Sequence, residues 1–180
     1  MALALNLRCG NATVEAIVSL WDRAGAFEDS PSMRALQYAP HFTFAIYDTS
    51  DVTEELATAV MMQVAKERSA AEISFNRIRT FAGPPLVLWA EPEPTEMLFE
   101  MHRQIHAAID PALCRPHYRP GNWIPHCTLA MRILTDRNAD ALTFANDFRG
   151  GVRAFFDIVD CATFLPVRMV AEAKLDQPKP

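Results

Sequence analysis

A chain of 180 residues, half of them apolar and 22% charged, has enough material to bury a core as one compact domain or as two small lobes sharing one. Its net charge of −5 excludes the broad basic surface by which a protein coats long nucleic acid, and leaves room for a short, locally recognised anion. Cys9, Cys114, Cys127 and Cys161 are scattered without a C-x-x-C pair, which excludes a zinc ribbon or disulfide framework and predicts reduced thiols.

Ala2 to Leu7 is predicted as a short buried strand. No basic residue precedes it and polar residues follow at once, so neither a signal peptide nor a membrane span is expected, and the cytoplasm is the expected location. Asn11-Ala12-Thr13 offers a cap for a helix carrying Val14, Ile17, Val18, Leu20 and Trp21 at helical spacing and fading near Gly25. Residues 29 to 40 are expected as a connecting loop, and His41 to Tyr47 as a strand. A helix over 51 to 69 should set Leu56, Val60, Val64 and the Met61-Met62 pair on its apolar side. Strands over about 71 to 80 and 85 to 90 read as a hairpin joined at Gly83-Pro84, followed by a helix over 94 to 109 with Met97, Leu98, Met101, Ile105 and Ile109 on one face. Four prolines and Gly121 argue against regular structure from 110 to 125. A strand over 126 to 134, a helix over about 136 to 148 ended by Gly150-Gly151, and strands over about 153 to 163 and 167 to 175 complete the chain.

One stretch occurs twice. Pro40-His41-Phe42-Thr43-Phe44-Ala45-Ile46 returns as Pro125-His126-Cys127-Thr128-Leu129-Ala130-Met131, with an aromatic residue, Tyr38 or Trp123, three positions before each histidine. The offset of 85 residues also carries the helix at 51 onto that at 136 and the strand at 71 onto that near 156. The predicted architecture is therefore α+β: residues 1–180 as a single bilobal domain of two pseudo-repeats, each contributing an antiparallel sheet flanked by helices, related by an approximate two-fold.

Strand alternation puts His41, Thr43 and Ala45 on one face and Phe42, Phe44 and Ile46 on the other, with His126, Thr128 and Ala130 sorted likewise against Cys127, Leu129 and Met131. The apolar trio would anchor each strand on its own helices, leaving the small alanines to make room for a ligand. Two imidazoles and two hydroxyls around one cavity suit a phosphodiester. One imidazole stays neutral as base while the other stays protonated as acid, and the threonine hydroxyls donate to non-bridging phosphate oxygens. Such a site requires neither metal nor other cofactor. Thr128, and not Cys127, matches Thr43, so Cys127 is not read as a nucleophile. A single H-x-[ST] is a weak signal, but two copies sharing proline, alanine, the preceding aromatic and their place in a repeated element order are strong.

The two P-H-x-T-h-A-h segments and the surrounding element order resemble the 2H phosphoesterase superfamily, which includes 2'-5' RNA ligase-like proteins and RNA 2',3'-cyclic phosphodiesterases. The resemblance covers nearly the whole chain. It implies a bilobal fold around a central cleft and metal-independent hydrolysis of a 2',3'-cyclic phosphate on an RNA end or small nucleotide. Cleavage or ligation of 2'-5' linkages and non-catalytic RNA or nucleotide binding through the same cleft are the alternatives. Carried over residue by residue, it makes His41 the acid, His126 the base, and Thr43 and Thr128 the phosphate-binding pair. A monomer is expected.

Further candidates lie from Pro111 to Thr135, a stretch without Asp or Glu that holds Arg115, His117, Arg119 and Arg132 with Tyr118 and Trp123 interleaved. Such a loop could stack a base and steer a phosphate, so Arg119, Trp123 and Tyr118 join Tyr38 as expected substrate contacts. His102 and His106 stand four apart on a helix, a metal-gripping spacing, but they lack the glutamate of H-E-x-x-H and read better as a surface face.

Overall fold

Eight strands form two antiparallel four-stranded sheets in the computed structural model, which describes residues 1–164 and 166–177. The first sheet runs in the order β2 (His41–Asp48), β1 (Ala2–Arg8), β7 (Ile158–Phe164), β8 (Arg168–Lys174). The second runs β5 (Cys127–Ile133), β4 (Leu86–Glu93), β3 (Ala71–Phe81), β6 (Val152–Phe156). Each motif strand is thus the edge of its own sheet, and the two edges touch one another. The α+β class and the pair of antiparallel sheets are as the element order predicts, but neither sheet belongs to one repeat: β3 and β4, which follow the first motif, join β5 and β6, while β7 and β8 join β2.

The helices do not pack where proximity along the chain suggests. Helix α1 (Val14–Gly25) joins β1 to β2 of the first sheet yet packs on β5 and β6 of the second, helped by the short α2 (Ser32–Ala35). Helix α4 (Glu96–Ala108) joins β4 to β5 and packs behind β2. Helix α3 (Glu54–Glu67) covers β1, β7 and β8, and α5 (Asn138–Asp147) covers β3. The expectation that each motif strand rests on its own helices is therefore overturned: each rests on a helix from the other half of the chain. Phe42 and Phe44, fully buried on β2, pack on Phe156 at 4.7 Å and Trp123 at 5.5 Å. One hydrophobic cluster accordingly draws residues from both sheets and all the longer helices.

Several boundaries differ from the predicted ones for local reasons. The strand expected over 153 to 163 is two strands, because Asp157 carries the chain from one sheet to the other. Its amide donates to the Arg8 carbonyl at 3.2 Å and its Oδ1 accepts from the Gly10 amide at 2.8 Å. Gly10 leaves room for Ile158 here, since a Cβ would meet Ile158 Cδ1 at 2.2 Å and force that side chain to shift. The loop from 29 to 40 contains α2, too short to show periodicity, whose first amide donates to the Glu28 carboxylate at 2.7 Å. Helix α3 starts at Glu54 behind a Thr53 cap, with Ala57, Val60, Met61 and Val64 buried while Leu56, in its first turn, is exposed. In the proline-rich loop, Pro111–Leu113 and Pro116–Tyr118 each form a single 3-10 turn, because proline pre-sets φ at a helix start.

Candidate active site

The two motifs build the same backbone feature. In β2, Leu5 faces Ala45 but the next residue, Asn6, faces Thr43, so Phe44 is an extra residue in the ladder. In β5, Leu88 faces Ala130 but Trp89 faces Thr128, making Leu129 the extra residue. A bulge of this kind reverses the alternation of everything beyond it. Ala45 and Ala130 therefore turn into the core, fully buried, and Ile46 and Met131 come to the cleft instead. The expected face assignment holds for both His-Thr pairs and fails after them.

Crossed tryptophans complete the bulges. Trp21, on α1, donates its indole N–H to the Thr128 carbonyl, and Trp123 donates to the Thr43 carbonyl, both at 2.9 Å. Each motif is thus pinned by an indole from the opposite half of the chain. The amides of Met131 and Arg132 after the second bulge both donate to the buried Glu28 carboxylate, at 2.9 and 2.7 Å.

His41, Thr43, His126 and Thr128 all line one cavity of ≈ 440 Å³ between the two sheets. The proline before each histidine fixes φ, and the imidazole Nδ1 then meets the carbonyl two residues back: Ala39 at 2.9 Å for His41, Ile124 at 2.7 Å for His126. A carbonyl only accepts, so both Nδ1 atoms carry a proton and both Nε2 atoms are left for a ligand. Burial lowers the pKa of each histidine. Backbone bonding partly opposes that shift, while the charge of Arg8 adds to it at His41 and the charge of His41 adds to it at His126. Both shifts favour the neutral imidazole.

The surroundings of the two pairs differ. Thr43 Oγ1 donates to Asn6 Oδ1 at 2.8 Å, and Asn6 Nδ2 donates to Asp160 Oδ1 at 3.0 Å. Tyr38 Oη donates to the same carboxylate at 2.6 Å, and Arg8 Nε does so at 2.8 Å while its far end pairs with Glu172. Burial of Asp160 raises its pKa, against these donors. Around His126 the neighbours are aromatic: Phe81 edge-on at 5.0 Å, stacked in turn on Trp89 at 5.0 Å. The Thr128 hydroxyl has no hydrogen-bond partner among the described residues.

Of the expected substrate contacts, Tyr38 and Tyr118 line the cavity, with Tyr38 edge-on to His41 at 4.8 Å. Arg119 and Trp123 do not. Arg119 is spent on the loop itself, donating to the carbonyls of Cys114 and Ala112 at 2.7 Å each. Trp123 is buried, stacked on His102 at 4.3 Å with its N–H on Thr43. His102 and His106 are buried rather than on a surface face. Both aim Nε2 at the Tyr118 carbonyl, at 2.7 and 3.0 Å, and desolvation depresses both, His106 to about 4. They hold the proline-rich loop against α4. Cys127 lies in the core with its thiol pushed up to about 12 by burial, unsuited to nucleophilic work. Asn6, Arg8 and Asp160 carried no signal in the sequence, because the network closes across as many as 164 positions.

The model of the 2'-5' RNA ligase superfamily matches residues 13–155. A Bacillus licheniformis protein described only provisionally as a phosphoesterase is 24% identical over 106 residues, 57% of this chain and 59% of its own length. A Bacillus pumilus protein described in the same way is 24% identical over 104 residues, 57% of this chain and 58% of its own. The chain thus spans about three-fifths of the curated relatives it matches. Among solved structures, a Thermus thermophilus protein superposes with a TM-score of 0.64 at 15% identity, over 99% of this chain and 100% of that one. Escherichia coli LigT complexed with 3'-AMP gives 0.60 at 14% identity, over 97% and 98%. At such identities these likenesses speak to the fold, which is shared nearly end to end, while the family-model match spans both motifs. The chain belongs to the 2'-5' RNA ligase superfamily, within the 2H phosphoesterases.

Proposed function

We propose that the cleft hydrolyses a 2',3'-cyclic phosphodiester on an RNA end or a nucleotide by acid–base catalysis between the two histidines. One observation carries this reading: two imidazoles locked in the same tautomer present Nε2 to one cavity that also holds two threonines. His126 Nε2 takes a proton from water as the oxygen attacks phosphorus. His41 Nε2 gives its proton to the ribose oxygen as the P–O bond of the ring breaks, leaving a terminal phosphomonoester. Thr128 donates to a non-bridging oxygen where charge gathers, and Thr43 does the same when its hydroxyl turns from Asn6 Oδ1 to the phosphate. The order of the two roles follows the family resemblance.

The lowered pKa values fit this cycle. The empty cleft keeps its imidazoles neutral, and a bound phosphodiester anion favours protonation of one of them. The bell-shaped pH profile of kcat, which reports the complex, should therefore lie at higher pH than that of kcat/KM, which reports the free enzyme. A turnover screen of 2',3'-cyclic nucleotides and short RNAs with cyclic phosphate ends, followed by phosphorus NMR, tests the function. Appearance of a terminal monophosphate supports it, equally with and without EDTA. A changed chain length would indicate joining or cutting of 2'-5' linkages instead, and unaltered ligand after long incubation would reduce the protein to a binder.

A further inference from the structure

Charge and polarity are unevenly placed around the cleft. Arg132 is the only formally charged side chain among the described lining residues, and it has no ion-pair partner among the described residues. Other arginines near the rim are already engaged: Arg8 with Asp160 and Glu172, Arg115 with Asp48 at 3.4 Å and over the Phe164 ring, Arg119 with loop carbonyls. Among the described lining residues, no second cation stands ready to pair with a further phosphate. Beyond the His-Thr pairs the wall turns apolar, with Met33, Leu36, Ile46, Met131, Phe164 and Val167. The reason lies in the bulges, which bring Ile46 and Met131 to the cleft in place of the alanines. Ile46 and Phe164 also form, with Ala2, Ala4 and Tyr118, an apolar cluster separate from the main core. None of those six wall side chains can exchange hydrogen bonds with the edge of a base.

We infer that the substrate is a single-phosphate, mononucleotide-sized phosphodiester, its organic part held by apolar burial, and that it is not an RNA strand. The inference rests on the phosphodiesterase reading above and narrows it. A cavity of ≈ 440 Å³ is in the range of small-molecule sites, roughly 300–1,000 Å³, whereas strand binding relies on a basic groove tracking several phosphates. One cation matches the single charge of a cyclic phosphodiester, and a wall that is apolar over these six residues, with only Tyr118 and Thr163 adding hydroxyls on that side, holds a base mainly by burial.

The test compares 2',3'-cyclic AMP, 2',3'-cyclic UMP and a ten-nucleotide RNA ending in an adenosine 2',3'-cyclic phosphate, at 50 and 200 mM salt. The expectation is a kcat/KM for cyclic AMP at least equal to that for the RNA, with the two nucleotides within about tenfold of each other. KM should rise only about threefold between the two salt concentrations, the effect of neutralising one phosphate. Arg132→Gln should abolish that salt dependence, and Phe164→Ala should raise KM about tenfold with kcat unchanged, the mark of lost uniform binding. An RNA preferred more than tenfold, with a salt effect of thirtyfold or more as ~4 phosphate contacts would give, overturns the inference and leaves the phosphodiesterase reading standing. Turnover of none of the three by the wild-type protein overturns both.

Discussion

The first sheet places Thr43, Asn6, Asp160 and Glu172 in one row across all four strands, while the matching row of the second holds Thr128, Trp89 and Arg79. The same tripeptide pattern, the same tautomer lock and the same bulge thus sit on a buried polar network in one half and beside stacked aromatics in the other. The Thr43 hydroxyl already donates its proton, and Tyr38 anchors the approach to His41 through Asp160. The Thr128 hydroxyl is uncommitted, and His126 is held by ring edges. A repeat copies the groups that do chemistry; the neighbours that bias them come from strands outside the repeated segment. Two equivalent motifs can in this way serve unequal roles.

Removing the imidazoles should have the largest effect, a fall in kcat on the order of 10²- to 10⁴-fold for either His41→Ala or His126→Ala. Their inequality should show with an aryl phosphodiester whose leaving group departs unprotonated. Such a substrate should recover most of the activity of His41→Ala and little of that of His126→Ala; equal recovery would contradict the assigned roles. Asp160→Asn attacks the polar half alone. It leaves the buried end of Arg8 without its counter-charge and should lower stability by about 3 kcal/mol in chemical unfolding. The buried carboxylate of the aromatic half, Glu28, holds the Met131 and Arg132 amides and pairs with no arginine among the described residues.

The threonines should differ too. Thr128→Val, losing a free donor, should cost about tenfold in kcat/KM, and Thr43→Val less than that in kcat/KM but more in stability, since it strips Asn6 of its partner. Smallest are the crossed indoles. Trp21→Phe and Trp123→Phe each leave a motif carbonyl without its donor and should cost about 1 kcal/mol in unfolding. If either change left stability and KM untouched, the indole would be mere packing.

How much of this was legible depended on the range over which each signal acts. His41, Thr43, His126 and Thr128 could be paired because the same local pattern recurs, and strand alternation is a local rule that holds up to the bulge. It misplaced Ala45 and Ile46 because an inserted residue is visible only against the facing strand. Arg119 and Trp123 read as ligand contacts from composition, yet a basic or aromatic side chain is equally able to satisfy a backbone carbonyl: Arg119 bonds its own loop and Trp123 the Thr43 carbonyl of β2. His102 and His106 looked exposed for want of a partner in sequence; the partner is the Tyr118 carbonyl, which no side-chain pattern encodes.

The sequence by itself determined the α+β class, the strands and most helices, and the identity of the four polar groups, because periodicity and repetition are properties of neighbouring residues. The tertiary structure alone decided that α1 and α4 exchange sheets, that Asn6, Arg8 and Asp160 gather beside Thr43, and that the wall beyond the histidines is apolar. Those outcomes depend on which strands pair and in what register. Pairing is settled by the burial of the whole core at once, and no local stretch of the chain contains it.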